Sequence, residues 1–132
     1  MIERLFRGKD RTGILNKDWL YGMLDSLDKD YPRIIYKDRY GNRIIADVDK
    51  ESVGQFTGLT DKNIKDIFEG DILTGLFLHS MPVNGVVAFR DGSFGLLWKR
   101  MGTETFTSFT SMCNVEYEII GNIYDNPELL LA

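Results

Sequence analysis

The stretch ESVGQFTGLTDKNIKDIFEGDIL, residues 51–73, joins two halves of the chain that each contain a series of short apolar runs. Within it, residues 53–57 predict a strand, Gly58 ends that strand, and residues 61–63 predict a turn. The chain then enters a further strand at residues 71–73, directly after a Glu-Gly-Asp triplet. Because the stretch contains no nucleophile beside a base, it predicts scaffolding at the junction rather than a catalytic centre.

Acidic side chains crowd the end of this stretch, where Asp66, Glu69 and Asp71 lie close together in the sequence. Carboxylate oxygens hold Mg²⁺ and Ca²⁺, but a calcium loop of the EF-hand type needs acidic residues at its first, third and fifth positions and glycine at its sixth. The spacing here is different. We therefore predict that these residues shape the entrance to a strand, and a divalent-ion site is the alternative.

Short strand-like runs recur about every ten residues, and no apolar pattern of helical period persists over several turns, so the fold is predicted to be mainly β. The pair Asp91-Gly92 predicts a tight two-residue hairpin, and Gly41-Asn42 predicts another. Asn126-Pro127 predicts a brief helical turn near the end of the chain. We predict an N-terminal β-rich subdomain over residues 1–60 and a C-terminal small β-barrel over residues 61–132.

One segment combines basic and aromatic side chains in a manner typical of single-stranded nucleic-acid binding. YPRIIYKDRYGNR, residues 31–43, places three tyrosines among four basic residues. On a strand, the first three basic residues share one parity and project from the same face. A turn at Gly41-Asn42 places Arg43 opposite Tyr40, where the two side chains can stack. The candidate contacts are Arg33, Lys37, Arg39, Tyr40 and Arg43. The alternative is a solvated face whose charge is balanced by nearby aspartates.

The composition restricts the class of protein. The chain has 132 residues, of which 43% are hydrophobic and 27% charged, as in globular proteins. Residues 1–60 carry 11 Lys and Arg against 10 Asp and Glu, whereas residues 61–132 carry 5 against 10. Because nucleic-acid binders usually show a basic excess, this charge argues against that function outside a local patch. No apolar run reaches the roughly 18 residues of a membrane span, and the charged start is unlike a signal peptide.

Two residue types that often carry chemistry occur once each, as Cys113 and His79. A single cysteine cannot form an internal disulfide, which fits a reducing compartment, and we predict that it is a small buried hydrophobe. The histidine has no evident orienting partner and is predicted to lie in a partly exposed loop. Zinc-ligand spacings, phosphate loops and dinucleotide motifs are absent from the sequence, so we predict no catalytic residue, metal site or cofactor.

Several motifs are similar to those of the YopX family of phage and prophage proteins. VGQFTGLTDKNIKDIFEGDIL resembles the family's central motif, and further segments match in order: LFRGKD, WLYGML, VAFRDGSFGL and EIIGNIYDNPELL. One departure is Ile64, which follows Asn63 where the family commonly has glycine. Because isoleucine adopts a positive φ only at a cost, the turn must differ in type or carry strain.

The resemblance implies a small β-rich protein of the bacterial cytoplasm, in a cell that carries a phage or prophage, with a C-terminal barrel similar to SH3 folds. It implies no catalytic or ligand residue. We expect a non-enzymatic accessory protein that binds another protein or a second copy of itself, without a membrane contact, because small sheets leave strand edges open to pairing. Single-stranded nucleic-acid binding through residues 31–43 and a carboxylate enzyme with a divalent ion are the alternatives.

Overall fold

Antiparallel strands and the turns between them account for most of the residues that the computed structural model describes. Those residues are 5–13, 18–25, 30–77, 80–109 and 116–130. The predicted mainly β fold class is confirmed. The chain divides into two units, Met1–Phe56 and Thr57–Ala132. His79 and Cys113 lie outside the described residues, so the predictions made for them stay predictions.

Eleven strands and two short 3₁₀ segments form the regular structure of the described residues. The strands are β1 (Phe6–Lys9), β2 (Trp19–Asp25), β3 (Arg33–Lys37), β4 (Arg43–Asp47), β5 (Gly54–Thr60), β6 (Asp66–Phe68), β7 (Asp71–Phe77), β8 (Met81–Arg90), β9 (Ser93–Arg100), β10 (Thr103–Ser108) and β11 (Tyr117–Asn122). The 3₁₀ segments are Lys50–Ser52 and Pro127–Leu130. The second of them is the brief helical turn that Asn126-Pro127 predicts.

In the first unit the strand order is β4-β3-β2-β1-β5. Successive side chains of a strand point to opposite faces, so Ile34 and Tyr36 on β3 are buried while Arg33 and Lys37 lie on the other face. The core of this unit consists of Leu20, Ile34, Tyr36, Ala46 and Val48, with Phe6, Leu24, Ile44 and Val53 packed against it. Burial of these apolar side chains is the main favourable contribution to folding of the unit.

The end of β4 also contacts the chain that follows β1. Asp10 and Val48 form an antiparallel bridge, and the N–H of Arg11 donates to the carbonyl oxygen of Asp47 at 3.0 Å. The end of β4 is therefore hydrogen-bonded on both of its edges. As a result, the first and last strands of the series β1 to β4 are also joined to each other, through the end of β4 and the residues that follow β1.

The β3–β4 hairpin turns differently from the prediction. Lys37 pairs with Arg43, and the loop between them contains five residues. The side chain of Asp38 organises this loop, because its Oδ1 atom accepts the N–H groups of Tyr40 at 2.9 Å and Asn42 at 2.8 Å. The predicted register, with Arg43 opposite Tyr40, is wrong because Asp38 closes a longer loop.

Strand β5 begins in the first unit and ends in the second. Gly54 and Gln55 pair with β1, whereas the later residues of β5 neighbour β6. There the hydroxyl of Thr57 donates to the carbonyl oxygen of Ile67 at 2.8 Å. The strand that the central motif predicts at residues 53–57 is present as Gly54–Thr60. The prediction that Gly58 ends this strand is wrong, because the chain passes through Gly58 at a φ of 84° and continues the strand to Thr60.

In the second unit β7 to β10 form a meander, and β11 returns to pair with β7. Asp91 (φ 51°) and Gly92 (φ 83°) make the predicted two-residue turn between β8 and β9. The core cluster consists of Ile67, Leu73, Val83, Val87, Leu96, Trp98 and Tyr117. Pairing of β10 with β11 is not among the ladders of the described residues, so SH3-like closure of this sheet stays a prediction.

Candidate functional site

Asp61, in the central motif, is a buried carboxylate that bonds to the protein's own backbone. Its side chain is 7% exposed. Its Oδ1 atom accepts the N–H groups of Asn63 at 2.8 Å and Lys65 at 2.9 Å, and its Oδ2 atom accepts the N–H of Ile119 at 3.1 Å. Burial by itself would raise the pKa of Asp61, but these three bonds and the charge of Lys65 together hold the pKa below its ordinary value. Asp61 therefore fastens the β5–β6 turn to β11.

Ile64, the departure from the family motif, carries strain. Its φ angle is +62°, and its side chain is 84% exposed. A β-branched residue pays a steric penalty in this left-handed region, and the exposed side chain gains little burial in return. The turn therefore keeps the conformation that glycine would favour. The hydrogen bonds of Asp61 to the N–H groups of Asn63 and Lys65 hold the backbone on both sides of Ile64 in this conformation.

The carboxylates at the end of the motif lie in different environments. Asp71 is 2% exposed, and its Oδ2 atom accepts the N–H of Phe68 at 2.8 Å across the β6–β7 turn. Asp66 is exposed, and Gly70 takes a φ of +93° to let the chain reverse. Among the described residues, no three His, Cys, Asp or Glu side chains are grouped so that they could hold a metal ion. Asp71 shapes the strand entrance, as predicted.

The side chains of the predicted basic and aromatic segment, residues 31–43, lie in different environments in the structure. Arg33 pairs with Asp25 and lies opposite Asp47 on the neighbouring strand, so its charge is met by carboxylates. Tyr36 is in the core. Burial raises its pKa, and the nearby charges of two aspartates raise it further. Tyr31 is exposed, and the guanidinium carbon of Arg11 lies 5.2 Å from its ring centroid.

The remaining predicted contacts come together at residues 37–43, which we call the hairpin tip. Lys37 and Arg43 are directly opposite each other at the ends of β3 and β4, and both are exposed. Arg39 is in the loop rather than on the strand, so the predicted common face for three basic residues is wrong for this residue. Its guanidinium carbon lies 5.7 Å from the ring centroid of Tyr40, whose side chain is 79% exposed.

A second aromatic group with neighbouring cations was not predicted from the sequence. The ring of Trp19 on β2 lies 4.7 Å from the guanidinium carbon of Arg7 and 5.3 Å from the Nζ atom of Lys9. Cross-strand pairing produces this arrangement, since Lys9 is opposite Trp19 and Arg7 is opposite Tyr21. Arg7 is only 6% exposed, so its contact with the ring lies within the sheet and stabilises it.

The outer edge of β10 is a further feature that was not singled out in the sequence. Met101 (φ 52°) and Gly102 (φ 81°) form a two-residue turn between β9 and β10. The residue pair that flanks such a turn is hydrogen-bonded, and bonded pairs alternate along an antiparallel ladder, so every second residue from Thr103 bonds to β9. The backbone groups of Glu104 and Phe106 therefore point away from β9. The sequence Met-Gly does not predict this turn, because methionine is not a residue that turn rules select for a positive φ.

An open groove of about 950 Å³ lies on the second unit between β8, β9 and the last 3₁₀ segment. Val86, Leu97 and Leu130 contribute apolar surface to it, and Lys99 and Glu104 are among its polar members. Glu104 forms an ion pair with Arg90 at 3.1 Å, and Arg100 also lines the groove. The lining therefore contains two cations, Lys99 and Arg100, and one carboxylate, Glu104.

Comparison with known proteins identifies relatives of this architecture. A family model described as YopX protein matches residues 6–131. Among solved structures, the crystal structure of protein EF1440 from Enterococcus faecalis is similar, with 27% sequence identity and a TM-score of 0.52. That match covers 96% of this chain and 96% of the other. No curated protein matches the sequence significantly.

The fold defines this chain as a small all-β module whose buried carboxylates bond to its own backbone. The family match extends over nearly the whole chain, and the similar solved structure is matched over an equal share of both chains. The chain belongs to the YopX family, as the resemblance of its central motif predicts. Neither 3₁₀ segment of the described residues has the length and apolarity that crossing a membrane requires.

Proposed function

We propose that this chain is a non-enzymatic interaction module that associates with a second copy of itself through the outer edge of β10. The observation that supports the proposal is the direction of the backbone groups of Glu104 and Phe106, which point away from β9. Among the described residues, the ladders of β10 are those with β9 alone. An outer strand of this kind is a template for pairing with another strand.

The sequence of β10 lacks the usual protections of a sheet edge. Natural edges are blunted by proline, lysine, bulges or very short strands. In contrast, Thr103–Ser108 pairs with β9 over six consecutive residues without a register shift and contains neither proline nor lysine. Its threonines and phenylalanine favour extended backbone. Glu104 is the one charged residue in the strand.

A two-fold symmetric pairing of β10 fits this strand. Antiparallel association of two identical strands forms a closed dimer, in which the same surface is used by both copies. A register centred on Phe106 places that residue opposite itself and Glu104 opposite Ser108 of the second copy. This register keeps the two glutamates apart, since like charges directly opposite each other are destabilising.

The test is size-exclusion chromatography with light scattering over a wide range of protein concentrations. The wild-type chain is expected to dimerise. Glu104→Pro removes an outward N–H donor while leaving the bonds to β9, so this variant is expected to be monomeric. Glu104→Ala is the matched control, because it removes the same side chain but keeps the N–H group, and it is expected to dimerise.

A second variant places charge at the centre of the proposed register. Phe106→Lys brings two ammonium groups together across the two-fold axis, and we expect a monomer. A wild-type chain that is monomeric at every concentration would rule out self-association. Dimerisation that persists in both Glu104→Pro and Phe106→Lys would show that another surface is used.

Membership of the YopX family supports a setting for this module. We propose that the chain acts in the cytoplasm of a bacterial cell that carries a phage or prophage, as an accessory protein. The proposal assigns no reaction, cofactor or metal ion to the chain. The role that we propose for the chain is association with a second copy through the outer edge of β10.

A further inference from the structure

The hairpin tip, residues 37–43, contains three cations and one carboxylate, so its net charge is +2. Lys37 and Arg43 face each other across the ladder, and Arg39 lies in the loop between them. Among the described residues, none of these three cations forms an ion pair with a carboxylate, whereas Arg33 on the same strand pairs with Asp25. The cations of the tip therefore differ from Arg33, whose charge is neutralised by Asp25.

The ladder geometry brings the two strand cations close together. Val48 donates its N–H to Pro32, and Asp38 donates its N–H to Asn42, which makes these the hydrogen-bonded pairs of the hairpin. Lys37 and Arg43 fall at an intervening, non-hydrogen-bonded position, where Cα atoms are about 4.5 Å apart. Like charges directly opposite each other destabilise a sheet, and an anion bound between them removes that repulsion.

The loop holds its shape through its own acidic residue. Both carboxylate oxygens of Asp38 accept hydrogen bonds within the loop, from the N–H groups of Tyr40 and Asn42 and from the side-chain amide of Asn42 at 3.2 Å. The N–H of Gly41 also donates to the carbonyl oxygen of Asp38 at 3.1 Å. The hairpin tip is therefore organised before any partner binds, which reduces the entropy lost on binding.

Tyr40 supplies an open aromatic face next to these cations. Its ring is 79% exposed, and Arg39 lies near it at 5.7 Å. Trp19 has two neighbouring cations, the buried Arg7 and Lys9, and is only half-buried, and Tyr31 has Arg11 and is 56% exposed. Tyr40 therefore has the most exposed ring of the three. Cations beside an exposed ring match the repeating phosphate and base of a nucleic-acid strand.

We propose that the hairpin tip binds single-stranded nucleic acid, with one phosphate between Lys37 and Arg43 and one base stacked on Tyr40. Arg39 contacts a neighbouring phosphate or adds a cation–π contact to the stack. This site is separate from the outer edge of β10 and goes beyond the self-association proposed above. The exposed ring favours nucleic acid over an acidic protein surface, because a base stacks on an aromatic ring whereas the negative face of the ring does not attract a carboxylate.

The experiment is fluorescence anisotropy of a labelled oligothymidylate titrated with the full chain at several salt concentrations. Each phosphate contact to a single strand contributes about 0.7 to the salt dependence, so one phosphate between Lys37 and Arg43 and a second at Arg39 predict a slope of log K against log salt of about −1.4. In Lys37→Gln/Arg43→Gln the slope is expected to fall to about −0.7, with weaker binding throughout. Tyr40→Ala is expected to lose about tenfold in affinity without a change in slope.

Matched controls exist within the same segment. Arg33→Gln changes a basic residue of β3 that already pairs with Asp25, and Tyr31→Ala removes an exposed tyrosine away from the tip, so both are expected to bind as the wild type does. Circular dichroism checks that each variant is folded.

Three results would overturn the proposal. The first is no binding by the wild-type chain at low salt. The second is an equal loss in Arg33→Gln and in Lys37→Gln/Arg43→Gln. The third is displacement of the oligonucleotide by polyglutamate as effectively as by unlabelled oligothymidylate, which would assign the hairpin tip to acidic proteins.

Discussion

At the scale of single residues, Ile64 is where the sequence and the backbone disagree most. Its left-handed conformation costs a β-branched residue roughly 1–2 kcal/mol, and glycine removes this cost while losing roughly 0.5–1 kcal/mol through its greater freedom in the unfolded chain. We therefore expect Ile64→Gly to raise the free energy of unfolding by about 1 kcal/mol. Urea denaturation at neutral pH measures the change.

The neighbouring exposed position provides the control for this substitution. Lys65 has no positive φ angle, so Lys65→Gly gains nothing from glycine's freedom and is expected to lower stability. Ile64→Asn should lie between Ile64→Gly and the wild type, because asparagine tolerates the left-handed region better than isoleucine does. If Ile64→Gly were less stable than the wild type, the conformational strain at this turn would be disproved.

At the scale of elements, Asp61 connects a turn to a strand, and its ionisation should appear in the acid stability of the chain. The pKa of Asp61 is lower in the folded protein than in the unfolded chain. Its contribution is therefore fully present above the unfolded pKa, about 4, and is lost as the pH falls through the folded pKa. We expect stability to fall with decreasing pH in this range, as measured by denaturant unfolding at a series of pH values.

Asp61→Asn isolates that contribution. The amide cannot accept through its nitrogen, so one or more of the N–H groups of Asn63, Lys65 and Ile119 loses its partner. We expect a loss of roughly 1–3 kcal/mol at neutral pH and a weaker dependence on acid. Asp66→Asn changes an exposed carboxylate nearby and should leave both quantities close to wild type. Equal acid sensitivity in wild type and Asp61→Asn would contradict the assignment.

The hairpins show which elements follow from local sequence and which do not. Asp91-Gly92 predicts its turn correctly, because both residues tolerate a positive φ. Gly41-Asn42 predicts a hairpin but the wrong register, since Asp38 captures two backbone N–H groups and sets a longer loop. Met101 adopts a positive φ although its side chain disfavours it, so pairing of β9 with β10 overrides local preference there.

At the scale of the whole molecule, the candidate sites depend on pairings that the sequence does not specify. Strand parity correctly separates Arg33 and Lys37 from the buried Tyr36. It does not reveal that Arg33 meets Asp25, because that contact requires the pairing of β2 with β3. In the same way, the outer position of β10 among the described strands depends on the order of five strands in a sheet. The pattern of apolar residues predicts the mainly β fold class. The positions of the candidate sites depend instead on which strands pair with each other.

The proposed self-association also connects strand pairing to the stability of the whole chain. When folded chains associate and unfolded chains do not, mass action raises the stability of the folded state as the concentration increases. We therefore expect the Tm of the wild-type chain to rise with protein concentration. The Tm of Glu104→Pro should be independent of concentration, and Glu104→Ala should follow the wild type. Differential scanning calorimetry over a dilution series measures these three dependences. A wild-type Tm that is constant, together with a constant mass in solution, would show that β10 does not pair; a rising Tm in Glu104→Pro would place the contact on a different strand.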